Sequence, residues 1–348
     1  MKAGREVTVI TLAEPEQDFF RLPAGISRIA LSGIGQSRSL LGALLANLDR
    51  VRRLRKALRD SGAEVAVAFI MPTVVLTVLA SLGLDIRVVA CERNDPARQS
   101  IGSVWNALRR ITYPRADAVT ANSRGVLAAF QSYVPADKLL YVANPLSPPS
   151  RSDRACFQAP TILSIGRLHR QKAYDILLRA FALFSEEHGD WRLAIMGEGP
   201  EAETLQSLAN ELGIGDRVDW LGTQPDSYAW LQGAQMFVLV SRHEGTPNAL
   251  LEAMACGLPG SVSDASPGPL ELISDGLTGL VVPGEDQVAL AAQMRRLAQD
   301  SALSRKLGEA AKQRLGTHGA EAALKTWEHA IEMALRSETR HAGSGGQS

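Results

Sequence analysis

Cysteine is scarce in this chain. Its three residues, Cys91, Cys156 and Cys256, include no CxxC pair, and each is set in apolar sequence. An odd count without paired spacing excludes a disulfide framework and a structural zinc site, and points to a reduced, cytosolic protein. No DxD triplet occurs anywhere in the 348 residues. A signal-peptide core is also missing, because the apolar run behind Met1–Glu6 extends only from Val7 to Leu12. No repeat with a period of about 20 to 50 residues marks a solenoid. One stretch, Val65 to Leu84, holds twenty residues without a charge, long enough to span a bilayer. Pro72 near its middle, the β-branched residues before it and Gly83 at its end divide it into a buried strand over 65–70 and a helix opened by Pro72.

What is present suits a soluble globular protein: 45% hydrophobic and 21% charged residues, at a length that favours two domains of ~150 residues each. The net charge is zero but unevenly spread. Residues 1–150 carry 19 Lys and Arg against 12 Asp and Glu, or +7, and the remainder carries 18 against 25, or −7. A basic first half suits a phosphorylated or anionic partner, or a few extra surface arginines.

Short β-rich runs alternate with longer stretches of helical spacing, the pattern of βαβ units and a parallel sheet. In the first half the expected strands are 6–12, 27–31, 65–70, 86–91, 118–120 and 139–142. The proline-rich segment Asn144–Ser150 interrupts the alternation and marks a domain boundary. Beyond it the expected strands are 161–164, 191–196, 218–221, 236–240, 260–263 and 279–282, followed by helices over 287–315 and 319–335. The division is thus a first domain over 1–146, a linker over 147–156, a second domain over 157–316, a helix over 317–336 returning toward the first domain, and a disordered tail over 337–348.

The chemistry concentrates in Ser241–Gly260, SRHEGTPNALLEAMACGLPG. Glu244 lies in a Gly-Thr-Pro-Asn turn and Glu252, eight residues on, lies on the helix that the turn opens near Asn248. The free N–H groups and positive dipole end of such a helix make an anion site suited to a diphosphate. Glu252 stands among Leu250, Leu251, Ala253, Met254 and Ala255, where an idle carboxylate is costly and hydroxyl donors are wanted. Pairing with a neighbouring Lys, or a capping role, is the plainer explanation. Gly166-Arg167-Leu168 follows a strand, with Lys172 five residues after Arg167. A guanidinium fork and a point charge together suit a leaving diphosphate, although either alone is ordinary surface charge. Gly197-Glu198-Gly199 gives a tight turn at the carboxyl end of another strand, where open α/β sheets bind ligands. Gly33-Ile34-Gly35 has Arg38 in the place of the third Gly of a dinucleotide fingerprint, which with the missing acidic residue argues against the competing reading of an NAD-dependent dehydrogenase.

In order and spacing these features resemble retaining glycosyltransferases of family 4, the GT-B type with two Rossmann-like domains whose parallel sheets face across a cleft. The resemblance runs through Gly166-Arg167-Leu168, Lys172, Gly197-Glu198-Gly199, Leu221-Gly222, Ser241–Pro259, Pro267–Ile273 and Asp275–Gly279. It implies that Arg167 and Lys172 bind the donor diphosphate, that Glu252 holds the ribose, and that Glu244 faces the donor sugar. Gly166, Gly197, Gly199, Gly222, Gly245, Thr246, Asn248, Ala249 and Leu250 are the implied remainder of the donor site, with Glu244, Arg167 and Lys172 as its catalytic residues.

In the first half, Ala90–Pro96, Tyr113–Asp117 and Asn144–Leu146 look like members that build bacterial surface polysaccharides. Many relatives carry a His in the loop that here holds Glu92, Arg93 and Asn94, so Glu92 and Arg93 stand as the candidates there. The family's first strand and Gly-rich loop precede the strand that is here Val7–Leu12, so about one βα unit is expected to be absent. Ala173 replaces a usual Gly, and Gly260 a usual β-branched residue.

The resemblance implies a hexosyltransferase that uses a nucleotide-diphosphate sugar, UDP-linked, and retains configuration by front-face displacement. With no DxD, fixed cations and a helix dipole would stabilise the leaving group, and neither cofactor nor metal is expected. The implied acceptor is a glycan on a polyprenyl diphosphate at the cytoplasmic membrane face; nucleic acid is not an expected partner. Arg50–Arg59 holds six cations in ten residues beside a stripe of Leu44, Leu48, Val51, Leu54 and Leu58, compatible with a core helix or with docking on anionic lipid. Trp105, Arg109, Arg110, Tyr113 and Arg115 could add an interfacial anchor. A truncated, non-catalytic nucleotide-sugar-binding protein is the alternative.

Overall fold

Strand and helix alternate as the apolar spacing requires, and every strand pair is parallel. The structure is a computed structural model and describes residues 4–13, 22–23, 25–31, 40–99, 102–146, 154–315 and 319–337. Gly33–Gly35 and most of the linker and tail lie outside the described residues.

The second half is one six-stranded sheet, built from β7 (Thr161–Ile165), β8 (Arg192–Met196), β9 (Val218–Gly222), β10 (Met236–Leu239), β11 (Gly260–Ser263) and β12 (Leu280–Val282). Its order is β12-β11-β10-β7-β8-β9, so the first strand in the chain is central and the strand order reverses beside it. Helices cover both faces, which explains why β10 reads as an unbroken apolar run and why β7 is buried along its length but for Ile165. On one face α5 (Tyr174–Ser185), α6 (Ala202–Glu211) and α10 (Gln287–Gln299) pack through Phe181, Phe184, Leu205 and Met294. On the other, α7 (Ser227–Gly233), α8 (Asn248–Ala255), α9 (Pro267–Leu272) and α11 (Ser301–Arg314) pack through Leu231, Leu250, Leu272 and Ala311. The single helix expected over 287–315 is two, because Asp300 leaves helical geometry and its carboxylate caps Leu303 N–H at 2.8 Å.

The first half carries β1 (Thr8–Thr11), β2 (Ser27–Ala30), α1 (Leu40–Ser61), β3 (Val65–Phe69), α2 (Met71–Ser81), β4 (Arg87–Glu92), α3 (Ser103–Thr112), β5 (Ala118–Ala121), α4 (Arg124–Ala128) and β6 (Leu139–Tyr141). These strands form two sheets, β1-β2 and β3-β4-β5-β6. A two-stranded sheet is marginal alone. Here Ile10, Leu12, Ile29 and Leu31 share a core with Leu54 and Leu58 of α1 and Leu76 and Ala80 of α2. No strand bridges the two sheets among the described residues, and β3 is consequently an edge strand with Val67 and Phe69 exposed. The charge-free stretch divides at Ile70, with Pro72 in the first turn of α2, and no helix among the described residues is long and apolar enough to cross a membrane.

The last helix, α12 (Ala320–Arg336), lies against β3, β4 and β5 of the first half, with Trp327 5.7 Å from Phe69 and Ala334 packed on Val89 and Cys91. One sequence expectation about a surface is overturned, and another is divided. Tyr113 is fully buried, stacked on Phe130 at 5.2 Å, and Arg109 is buried with its guanidinium on Pro96 O, so they cannot belong to an interfacial anchor. On α1, Leu54 and Leu58 face the core, but Leu44 and Leu48 are exposed beside Leu41 and Leu45. The stripe thus divides, Leu44 and Leu48 toward solvent and Val51, Leu54 and Leu58 toward the core.

Candidate active site

The turns after β7, β8 and β9 are stitched to one another through backbone. Gly166 N–H donates to Met196 O at 2.9 Å, Leu168 N–H to Glu198 O at 2.9 Å, and Gly197 N–H to Gly222 O at 2.8 Å. Glycine is required by this closeness. Gly197 has φ +135°, and a Cβ there would stand 2.2 Å from Gly166 O; one on Gly199 would stand 2.3 Å from Leu168 O. The predicted Gly166, Gly197, Gly199 and Gly222 are therefore neighbours along one sheet edge.

Lys172 ends a 3-10 turn, Arg170–Lys172, and reaches back past Gly166 across the crevice between β7 and β10. There its Nζ meets Glu244 Oε1 at 2.5 Å, with both side chains largely shielded from water. The turn closes through Ala173, whose φ of 52° and ψ of 39° are left-handed, the reason Gly suits this position. Arg167 is exposed on the same loop; its carbonyl accepts from His169 N–H at 2.8 Å, and its guanidinium makes no hydrogen bond or ion pair among the described residues. Glu244 is also fixed through its backbone, its N–H donating to Ser266 Oγ at 2.9 Å.

Helix α8 starts at Asn248 with no side-chain cap, and its first internal bond runs from Leu251 N–H to Pro247 O at 3.3 Å. The N–H groups of Asn248, Ala249 and Leu250 thus have no partner within the helix. Leu250 itself is core, so only its backbone is available. Glu252 is half-buried rather than enclosed, and Ser227 Oγ donates to its Oε2 at 2.7 Å. Burial raises its carboxyl above the usual range; the Ser227 bond opposes this and nearby Asp226 adds to it. Pro145, Leu146, Tyr228, Asn248, Leu251 and Glu252 line an open cavity of about 210 Å³.

The first half reaches this site through three asparagines to which the sequence reading gave no role. Asn94, Asn122 and Asn144 follow the carboxyl ends of β4, β5 and β6 in turn. Asn94 Oδ1 lies 2.9 Å from His243 Nδ1, Asn122 Nδ2 donates to Thr246 O at 3.3 Å, and Asn144 Nδ2 donates to Thr246 O at 2.9 Å and Asn248 Oδ1 at 2.7 Å. Thr246 Oγ1 donates to Asn122 O. Gly245 completes the fit, since a Cβ would stand 2.4 Å from Asn122 Oδ1 and 2.6 Å from Arg93 O. An amide residue at the end of each successive strand was the signal available in the sequence.

Glu92 and Arg93 serve this loop from beneath. Glu92 is almost wholly buried and accepts from Arg93 N–H, Asn94 N–H and Tyr113 OH, while burial pushes its carboxyl up. The Arg93 guanidinium sits over the Phe69 and Trp327 rings and donates to Val142 O and Asn144 Oδ1, both at 3.2 Å. Among the described residues no group of three or more His, Cys, Asp or Glu side chains is placed to hold a metal ion.

Residues 157–314 match the family described as Glycosyl transferases group 1, and residues 1–145 match that described as Glycosyl transferase 4-like domain. The chain is 28% identical over 330 residues to a Campylobacter jejuni GalNAc-alpha-(1->4)-GalNAc-alpha-(1->3)-diNAcBac-PP-undecaprenol alpha-1,4-N-acetyl-D-galactosaminyltransferase, covering 89% of this chain and 90% of the relative. It is 35% identical to a Salmonella typhimurium lipopolysaccharide 1,6-galactosyltransferase over 50% of each chain. Among solved structures, Anabaena HepE with UDP and glucose superposes with TM-score 0.75 at 18% identity, covering 88% of this chain and 86% of that one. Sucrose-phosphate synthase from Thermosynechococcus elongatus superposes with TM-score 0.79 at 19% identity, covering 95% and 90%.

With the parallel sheets of both halves accounted for, the fold is that of the GT-B glycosyltransferases. The chain belongs to the group 1, family 4-like glycosyltransferases, one of the matched domains forming each half.

Proposed function

We propose that this glycosyltransferase moves a hexose or N-acetylhexosamine from a UDP-linked donor to a glycan carried on a polyprenyl diphosphate, in cell-surface polysaccharide assembly. The observation that carries the reading is the Lys172–Glu244 pair at the strand-order reversal, with Arg167 unpaired on the same loop. An incoming diphosphate competes with Glu244 for Lys172. Lys172 and Arg167 then neutralise the leaving UDP together with the uncapped N-terminus of α8, and Glu244 is released toward the sugar hydroxyls. Glu252 and the cavity beside it suit the ribose, and the Leu221–Thr223 turn suits the base. The bond from the anomeric carbon to the phosphate oxygen breaks as the bond to the acceptor oxygen forms on the same face. The acceptor proton passes to the departing phosphate, so configuration is retained without a protein nucleophile. Fixed cations in place of a DxD anchor support a reaction without metal.

The named lipid-linked acceptor of the Campylobacter relative supports a membrane-bound acceptor. So does α1, whose exposed Leu41, Leu44, Leu45 and Leu48 recur at i, i+3, i+4 and i+7, with Arg52 and Arg59 further along the same face. Such a surface suits peripheral docking at the cytoplasmic face of an anionic membrane. Flotation with phosphatidylglycerol vesicles is expected to drop about tenfold in the Leu44→Gln, Leu48→Gln double variant; equal flotation removes this face from the proposal.

Assay of Glu244→Ala and Glu252→Ala over a panel of nucleotide sugars tests the donor site. Transfer is expected to fall roughly 10²-fold or more in each, with weaker UDP binding in Glu252→Ala. Unchanged donor binding and transfer in both would sink the assignment. The divided first-half sheet favours one second reading, a binding protein that does not transfer; wild-type UDP binding without turnover would establish it.

A further inference from the structure

Glu271 of α9 joins the halves through three hydrogen bonds. Its Oε1 accepts from Ser123 Oγ at 2.7 Å and Gly125 N–H at 2.8 Å, and its Oε2 from Arg124 N–H at 3.0 Å. All three donors belong to the first half, at the start of α4. Steric fit reinforces the contact, for a Cβ on Gly125 would stand 2.3 Å from Pro267 Cβ. The other side of the same α9 segment presses on the donor turn. Ser266 Oγ receives Glu244 N–H at 2.9 Å, and a Cβ on Gly268 would stand 1.8 Å from Gly245 O. One inextensible path therefore runs from α4 through Glu271, Pro267 and Gly268 to Glu244 and Gly245.

We infer that Glu271 is a positioning residue that fastens the first half onto the donor turn and holds the cleft closed for the transfer step, touching neither donor nor acceptor. The three donors are neutral, so separating the halves exposes one carboxylate to water without stranding a counter-charge. Such a contact is strong enough to bias closure, since a hydrogen bond to a charged group shifts an equilibrium by roughly 10- to 100-fold, yet it opens reversibly. It differs in kind from Lys172–Glu244, which lies within the second half and belongs to the donor site. The kinetic consequence rests on the proposed transfer reaction; the closure itself rests on geometry alone.

Glu271→Ala, Gly125→Ala and Glu271→Gln test it, each measured for kcat, for UDP affinity by calorimetry and for radius of gyration by X-ray scattering. Gly125→Ala enters from the opposite half and improves helix propensity locally, so its cost falls on the contact with Pro267. Both Ala variants are expected to lose about tenfold or more in kcat, to keep UDP affinity within about twofold, and to expand. Glu271→Gln is expected to recover most of the loss, because its Oε1 still accepts from Ser123 and Gly125. Wild-type kcat in both Ala variants, or UDP affinity falling in step with kcat, overturns the inference. A wild type that neither binds UDP nor transfers sinks the donor-site reading instead. Scattering still decides here: expansion in both Ala variants supports the inference, and an unchanged radius overturns it.

Discussion

The two halves share an architecture and differ at the centre of the sheet. In the second half β7 lies between β8 and β10, buried, with Gly166, Arg167 and Lys172 following its carboxyl end. In the first half no described strand joins β1-β2 to β3-β4-β5-β6, and β3 exposes Val67 and Phe69. The turns differ accordingly. Those of the second half are glycines pressed backbone to backbone, a construction suited to phosphate; those of the first half end in Asn94, Asn122 and Asn144, whose amides hold the partner half. On the proposed reading, one half forms the anion site and the other grips it.

Gly197→Ala probes that contrast most severely. Its Cβ has only the Gly166 backbone to displace and its φ is glycine-specific, so a loss of about 3 kcal/mol is expected in chemical denaturation, carried by the second half. A loss under about 1 kcal/mol would show that the stitched turns are loose. In the opposite direction, Ala173→Gly should stabilise the same half by up to about 1 kcal/mol, because it relieves a left-handed Ala. A lower melting temperature would contradict that.

The smallest effect concerns pH at the contact between halves. Burial holds the His243 imidazole below its usual value of 6.5, so its stabilising neutral form is fully present above that pH. As pH falls through the depressed pKa, proton uptake by the unfolded chain removes this contribution. The melting temperature of the wild type should decline over that range by more than that of His243→Asn; parallel declines would exclude His243 as the cause.

Much of this was legible beforehand. β11 and the start of α8 fall at the residues expected, because Gly260–Ser263 follows a Gly-Leu-Pro turn and Asn248 follows a Pro that cannot continue a helix backwards. The break at Asp300 was missed although an Asp before Ser and Ala is a capping signal; the apolar period on either side concealed it. Tyr113 and Arg109 looked like an interfacial pair because periodicity shows spacing and not which tertiary neighbour covers a face. Glu271 was invisible for the same reason. Its donors stand some 150 positions earlier, and only the docking of two sheets brings them together.

The central claim is that the second half contains the donor site and the first half closes on it. Hydrogen–deuterium exchange with and without UDP tests this most directly. The expected result is slower exchange over 166–172, 197–199 and 244–252, with a second protected region at 122–125 where α4 meets Glu271. Protection confined to the first half, or none at saturating UDP, would contradict it.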